Sequence, residues 1–219
     1  MSSSLIQLLV LAGIAVFLIL RLRSVLGTRD GFEKPPVTGP TSRSTGRPEF
    51  DVIEGGPDHD IIDHVEDGST SAKALAAMKM AEPGFMVGPF LEGSRGAYEM
   101  ILMAFESGDL SRVSDFLSEE IAETFQTVID RREEEGLSVE ANFIGVRETV
   151  LKEAEFDRNT SEGEVTVKFV SELTSVVKNA EGEIVEGSPN DIKRQRDVWT
   201  FARKMGADDP NWQLVATGE

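Results

Sequence analysis

The sequence predicts an α+β fold in which about three helices lie on a bent antiparallel sheet. Two observations carry that prediction. Between residues 71 and 135 the large apolar side chains recur every three or four positions, as on a helix with one buried face. From Val139 onward the period drops to two, as on a strand with one wet face. Helices first and strands afterwards exclude the alternating order of a parallel α/β sheet. Three helices against four or five bent strands make a cone with a pocket between the layers.

Ahead of this domain lies a stretch of another kind. Residues 5–20, LIQLLVLAGIAVFLIL, are apolar apart from Gln7 and carry no charge. Leu5, Ile6, Leu8, Leu9, Val10, Leu11, Ile14, Val16, Phe17, Leu18, Ile19 and Leu20 supply the apolar surface. At a rise of about 1.5 Å per residue the stretch reaches roughly 24 Å, against a bilayer core of about 30 Å. The span is short but workable if Arg21 and Arg23 snorkel. A secretory signal peptide would carry its charge before the apolar core and a small-residue cleavage site after it. Here the charge follows, and no such site does. The basic flank of Arg21, Arg23 and Arg29 places that side in the cytoplasm, with Met1 outside. We therefore expect a single-pass membrane anchor with its flank over residues 1–26, a linker over 27–70, and the α+β domain over 71–219.

The linker is rich in Pro, Gly, Ser and Thr and reads as disordered. Residues 49–67 hold eight acids and no Lys or Arg, the composition of a self-repelling spacer. Both histidines, His59 and His64, fall here. A metal site joining them to neighbouring aspartates is disfavoured, because five-residue spacing does not put both imidazoles on one helical face. Residues 71–80 follow as a short helix with Ala72, Leu75 and Met78 on a stripe. It docks either on the domain or on a membrane or partner. Pro83 and Gly84 stop it.

Residues 90–105 form the next helix, with Ala97, Tyr98, Ile101, Leu102 and Phe105 on one stripe and Met100 and Met103 off it. Such a helix is apolar on more than one face, as inside a curved sheet. Gly108 ends it. Asp109 caps a short helix through Leu117. Ser118 caps another, with Ile121, Phe125, Val128 and Ile129 inward and Glu119 and Glu120 at its positive end. Strand alternation over 139–156 slips near Gly145, which suggests a bulge. After a turn at 159–163, Val165, Val167, Phe169, Leu173 and Val177 mark one face of a long strand. Ile184 and Val185 begin a short strand, residues 187–191 turn the chain, and residues 192–203 form a long strand with Trp199 and Phe201 on one face. The last turn falls at 208–211 and the last strand at 212–216.

Charge narrows the function. Residues 1–48 carry six basic and two acidic residues; residues 49–219 carry 16 and 37, a net −21. Such a domain repels nucleic acid and anionic lipid at long range. With no cysteine, thiolate catalysis, thiolate metal sites and disulfides are excluded. No phosphate-cradling glycine loop, dinucleotide fingerprint or nucleophile elbow appears, so no cofactor is implied. Proton-transfer chemistry in a pocketed fold needs a base facing an acid in a dry site. Tyr98 is the one tyrosine, no histidine follows His64, and Glu99, Glu106, Glu148 and Glu172 fall on polar phases. We expect no enzyme.

Phe90, Tyr98, Leu102, Phe125, Phe143, Phe169, Trp199 and Phe201 would line the cleft between helices and sheet. An apolar pocket of this kind suits an acyl chain or an apolar peptide side chain. An ordinary filled core is the other reading of the same aromatic density. Met100 and Met103, with Phe85 and Met86, offer an adaptable protein-binding surface instead.

Two segments carry a family resemblance: PGF…FLEGSRGAYEMILMAFESGD over residues 83–109 and DVWTFARKMGADDPNWQLVAT over residues 197–217. Both resemble the domain of the forty-four-kilodalton subunit of the mitochondrial inner-membrane import translocase, and most of all its membrane-anchored alphaproteobacterial relatives, which also carry a segment like LRSVLGTRDGFE (residues 22–33). The resemblance covers 1–33 and 71–217. It implies a nuclear-transport-factor-two-like, cystatin-like fold, and a scaffold that recruits an import motor to a membrane channel and touches acidic lipids. This chain departs from the mitochondrial subunit in lacking its long charged N-terminal region and in carrying an anchor. The sequence thus predicts an adaptor that holds a soluble protein partner at the cytoplasmic face of a bacterial inner membrane, in protein translocation, insertion or membrane-complex assembly. The alternative is a lipid or small apolar ligand binder using the helix–sheet pocket.

Overall fold

The computed structural model describes residues 58–218. The expected anchor over residues 5–20, its flank at Arg21, Arg23 and Arg29, and the linker up to residue 57 lie outside the described residues. Among the described residues no helix is long and apolar enough to cross a membrane.

In chain order the elements are α1 (His59–Ile62), α2 (Thr70–Ala81), α3 (Val87–Ser107), one 3-10 turn (Ser114–Phe116), α4 (Glu119–Glu134), β1 (Ser138–Asp157), β2 (Glu162–Lys178), β3 (Ile184–Lys204) and β4 (Gln213–Gly218). The strands make one four-stranded sheet in the order β1-β2-β3-β4, each antiparallel to its neighbour. This is the α+β architecture that the change of period predicts. Tyr98, Ile101 and Leu102 of α3 are buried together with Val165, Val167 and Phe169 of β2 and Trp199 and Phe201 of β3 in a single core.

The end of the expected linker is not disordered. Residues 58–70, expected as part of the disordered linker, carry ordered structure, with α1 at His59–Ile62. Ile61 is only 4% exposed. Asp60 Oδ2 and Oδ1 accept the N–H groups of Val87 (2.8 Å) and Gly88 (3.0 Å), the first turn of α3. The N-cap residue of α3 is Met86, whose side chain cannot accept such bonds, so Asp60 satisfies two orphan donors from 27 and 28 residues away. Lys79 of α2 sits between Asp58 (2.7 Å) and Asp60 (2.8 Å). Burial pushes the Asp60 carboxyl up, but the bonds from Lys79, Gly88 and Val87 outweigh it and hold the group below its usual range. Acids that read as spacer by composition are thus partly committed to helix ends. The histidines take no part: His59 and His64 are exposed, and among the described residues no group of three or more metal-ligating side chains converges.

Helix α2 docks on the domain. Ser69 caps it through the Ala72 N–H, Leu75 and Met78 are fully buried, and Ser71 Oγ accepts the N–H of Ala154 in β1 at 3.1 Å. Helix α3 ends at Gly108, in the left-handed region that favours glycine. The helix expected from Asp109 to Leu117 is not formed beyond one 3-10 turn. The chain is pulled extended there, because Leu117 bridges Leu214 of β4 and the Ser118 N–H donates to the Leu214 carbonyl at 3.0 Å. Ser118 then caps α4. On that helix Ile121 and Ile129 are buried and Phe125 half-buried, but Val128 is exposed rather than inward.

The slip at Gly145 is a register shift between Phe143 and Gly145; two further shifts follow along β1 and bend it. The turn expected at 187–191 does not reverse the chain. Strand β3 runs through it: Ser175 faces Ser188 and Leu173 faces Lys193, so residues 189–192 bulge outward. Gly187 is at φ 81°, and a Cβ there would meet the Ser175 carbonyl oxygen at 2.1 Å. Glycine is read correctly as irregular backbone, but the strand absorbs it.

Removing residues 58–70, or the Asp60→Ala change in the full chain, will lower stability. For Asp60→Ala we expect about 1–2 kcal/mol, the cost of a lost cap. Urea unfolding followed by circular dichroism measures both, and an unchanged midpoint would return residues 58–70 to the linker.

Candidate functional site

Tyr98 lies at the centre of the expected pocket, and its surroundings are closed. Its ring stacks on Phe169 at 4.5 Å and meets Trp199 at 4.6 Å and Phe143 at 6.3 Å. Its hydroxyl donates to Asp197 Oδ2 at 2.5 Å and shares a 2.8 Å bond with Ser171 Oγ. Gln195 holds the other Asp197 oxygen at 3.1 Å. Burial, reinforced by the Asp197 carboxylate, pushes the phenol well above its ordinary range, so it stays protonated. Of the eight residues expected along one cleft, Tyr98, Leu102, Phe169 and Trp199 are filled core. Phe143 is half-buried beside Tyr98, while Phe125 lies at another contact, with Phe105 at 4.7 Å. The expected cleft is corrected to packed core because aromatic rings from α3, β2 and β3 interlock there.

An open groove lies further along α3, toward its N-terminus. A groove of about 400 Å³ is walled by Phe85, Met86, Phe90, Phe116, Phe201 and Trp212, among others. Phe90 and Phe201 are the two expected pocket residues that reach it. Trp212 closes one side, 4.7 Å from Phe90 and 5.8 Å from Phe85. Met86 stands at the rim, 50% exposed. Of the methionine surface expected from sequence, Phe85 and Met86 belong to this groove, and Met100 and Met103 do not.

One cation is set into this wall. Arg203 donates from Nη2 to Glu82 Oε1 at 2.6 Å, and its guanidinium lies 5.3 Å from the Trp212 ring centre. The Gly206 N–H donates to Glu82 Oε2 at 2.9 Å. The Arg203 hydrogen bond, helped by Gly206, holds the Glu82 carboxyl below its usual range against the opposing effect of burial. Sequence reasoning missed Arg203 and Trp212. The signal for Arg203 was present: it follows Trp199 and Phe201 on the inward phase of β3, where a charge is out of place.

The other acids singled out from sequence lie outside the groove. Glu172 is buried but gripped by Arg147 at 2.6 Å and Arg194 at 2.9 Å, and these hydrogen bonds hold its pKa low. Burial raises Glu106, against the attraction of Arg132 and Lys193. Glu148 pairs with Lys168 at 2.7 Å.

A helix laid across a bent antiparallel sheet, with an apolar groove at one end, defines a pocketed α+β domain. The chain belongs to the Tim44-like domain family, which matches residues 71–219. It is 23% identical over 160 residues to the Homo sapiens mitochondrial import inner membrane translocase subunit TIM44; the match covers 71% of this chain and 35% of the human protein. The chain thus spans about a third of that relative's length. A crystal structure of the intermembrane space region of the chloroplast protein ARC6 overlays with a TM-score of 0.32 and 7% identity, over 48% of this chain and 72% of that one.

Two outcomes test this geometry. Tyr98→Phe will destabilise the fold by about 1–3 kcal/mol, because Ser171 and Asp197 lose a buried partner; denaturant unfolding checks it. The second concerns pH. Glu82 binds its proton less readily in the folded chain than in the unfolded one, so its contribution is whole above the unfolded value near pH 4.3 and is lost as pH falls through the lower folded value. Glu82→Gln should therefore lower stability at pH 7 and flatten its fall between about pH 5 and pH 3. Parallel melting curves across that range measure the difference.

Proposed function

We propose that this chain is a membrane-anchored adaptor whose α+β domain holds a soluble protein partner near a bilayer. The observation that carries the reading is the open apolar groove, walled by aromatic rings and a flexible methionine, on a domain of the Tim44-like family. The relative's name places that protein in an inner-membrane translocase. For this chain we infer a role of the corresponding class, in protein translocation, insertion or membrane-complex assembly. Residues 5–20 would span a bacterial inner membrane once, Arg21, Arg23 and Arg29 would keep the flank cytoplasmic, and the domain would carry no nucleic acid.

The reading also makes the domain a binder and not a catalyst. Support comes from Tyr98, whose hydroxyl is spent on Asp197 and Ser171 inside packed core and is not among the walls of the groove. The same groove favours one second reading, a site for a lipid or small apolar ligand.

Proximity crosslinking in intact cells, with the full chain compared with one lacking residues 1–23, separates the two. The adaptor predicts one or a few protein partners that disappear when residues 1–23 are removed. No partner above background, with lipid carried by the purified chain, would replace the adaptor with the ligand binder.

A further inference from the structure

The outer face of the sheet, turned away from α3, is divided by charge. Val165, Val167 and Phe169 of β2 lie in the core, so the alternate residues, from Glu162 to Glu172, point outward. The strand register extends each of them into a row. Glu172 faces Arg194 and is also gripped by Arg147; Val170 faces Glu148 and Arg196; Lys168 faces Val150 and Val198. These three rows carry four cations and two acids, a net +2. In the next three rows Thr166 faces Glu153 and Thr200, Glu164 faces Glu155 and Ala202, and Glu162 faces Asp157 and Lys204. They carry one cation and five acids, a net −4. Apart from Lys168 and Glu172, all these charged residues are exposed, and none of them lines the groove.

We propose that this face docks a second copy of the same chain, about a two-fold axis that runs across the strands between the Thr166 and Lys168 rows. Such an axis reverses the strands and lays each cationic end over the acidic end of the other copy. The Glu172 row, net +1, then meets the Glu162 row, net −1. The Val170 row, net zero, meets the Glu164 row, net −2. The Lys168 row, net +1, meets the Thr166 row, net −1. No row meets one of its own sign. Packed sheets lie about 10 Å apart, a gap that Arg, Lys and Glu side chains bridge from both sides.

Other occupants match only half of the face. The acidic end repels an anionic bilayer or a nucleic acid that the cationic end would attract, and a basic segment meets the converse. A second copy satisfies both ends at once. Within one chain the acidic end is crowded: partial burial, then the Glu155 and Glu162 carboxylates, push the Glu164 carboxyl above its usual range. Val150, 39% exposed beside the axis, would be covered. The six rows span about 34 Å along the strands and about 14 Å across three of them. Two such faces bury roughly 1,000 Å², the size of a weak and salt-sensitive complex.

Sedimentation equilibrium of the full chain in nonionic detergent tests the inference. At about 50 mM salt the chain should be half dimeric by about 100 μM, and about 1 M salt should weaken the dimer at least about tenfold. Arg196→Glu and Glu164→Arg alter exposed side chains on opposed rows. Each change alone should weaken the dimer at least about tenfold, because it sets like charges against each other twice across the axis. An equimolar mixture of the two variants should restore the dimer, since the changes are complementary across the axis. Unchanged melting temperatures show that both variants fold; if one does not, the other and the salt series decide. A chain that stays monomeric, a dimer left equally tight by either change, or a mixture of folded variants that stays monomeric would each overturn the inference. A dimer held by residues 5–20 alone would show the second of these. The groove takes no part, so the adaptor reading stands or falls by its own experiment.

Discussion

The fold turns on one aromatic wedge. Tyr98 projects from α3 into the concave side of the sheet, with its ring stacked on Phe169 of β2 and against Trp199 of β3. Aromatic pairs of this kind add about 0.5–1.5 kcal/mol each beyond the area they bury. The hydroxyl then crosses to Asp197 and Ser171, so one side chain ties α3 to two strands by both packing and hydrogen bonding. A helix alone could roll on an apolar sheet. The paired hydroxyl fixes its rotation, because a slip would leave a buried phenol and a serine without partners and strip a bond from the Asp197 carboxylate.

That fixed rotation decides where open space is left. Around Tyr98 every ring has a neighbour, and the layers close. Toward the start of α3 the residues facing the sheet are Phe90 and Ser94 instead of a tyrosine, and the sheet side offers Phe201 and Arg203. Trp212, on the segment between β3 and β4, covers part of the gap. The remaining groove is therefore a product of the same packing that fills the centre. Its position also depends on α1, since Asp60 finishes the first turn of α3 immediately beside the groove residues Met86 and Pro89.

Legibility in the sequence followed the strength of local signals. The change of period, the Ser118 cap, the glycine after α3 and the slip at Gly145 are short-range effects, and each is found where the residues place it. What could not be read is long-range. Asp60 sits in an acidic run, and nothing nearby in sequence says that the donors it accepts lie at residues 87 and 88. The segment after Asp109 has the apolar spacing of a helix, but a bridge to β4 outcompetes it. Aromatic count marked the core and the groove alike, because a ring that fills a cavity and one that walls it have the same spacing. The inward phase of Arg203 would have separated them.

The placement of Arg203 gives the groove its character. Guanidinium groups in apolar walls are tolerated when ionic and hydrogen-bonding demands are both met. Glu82 meets the first demand, and Trp212 offers a π-face, but neither meets the demand of Nε. Replacing Arg203 alone with an apolar residue would leave the Glu82 carboxylate with only the Gly206 N–H, and breaking a partly buried ion pair from one side is destabilising. Stability therefore gives this position its own reason to hold an arginine, which ties the end of β3 to Glu82, the residue after α2.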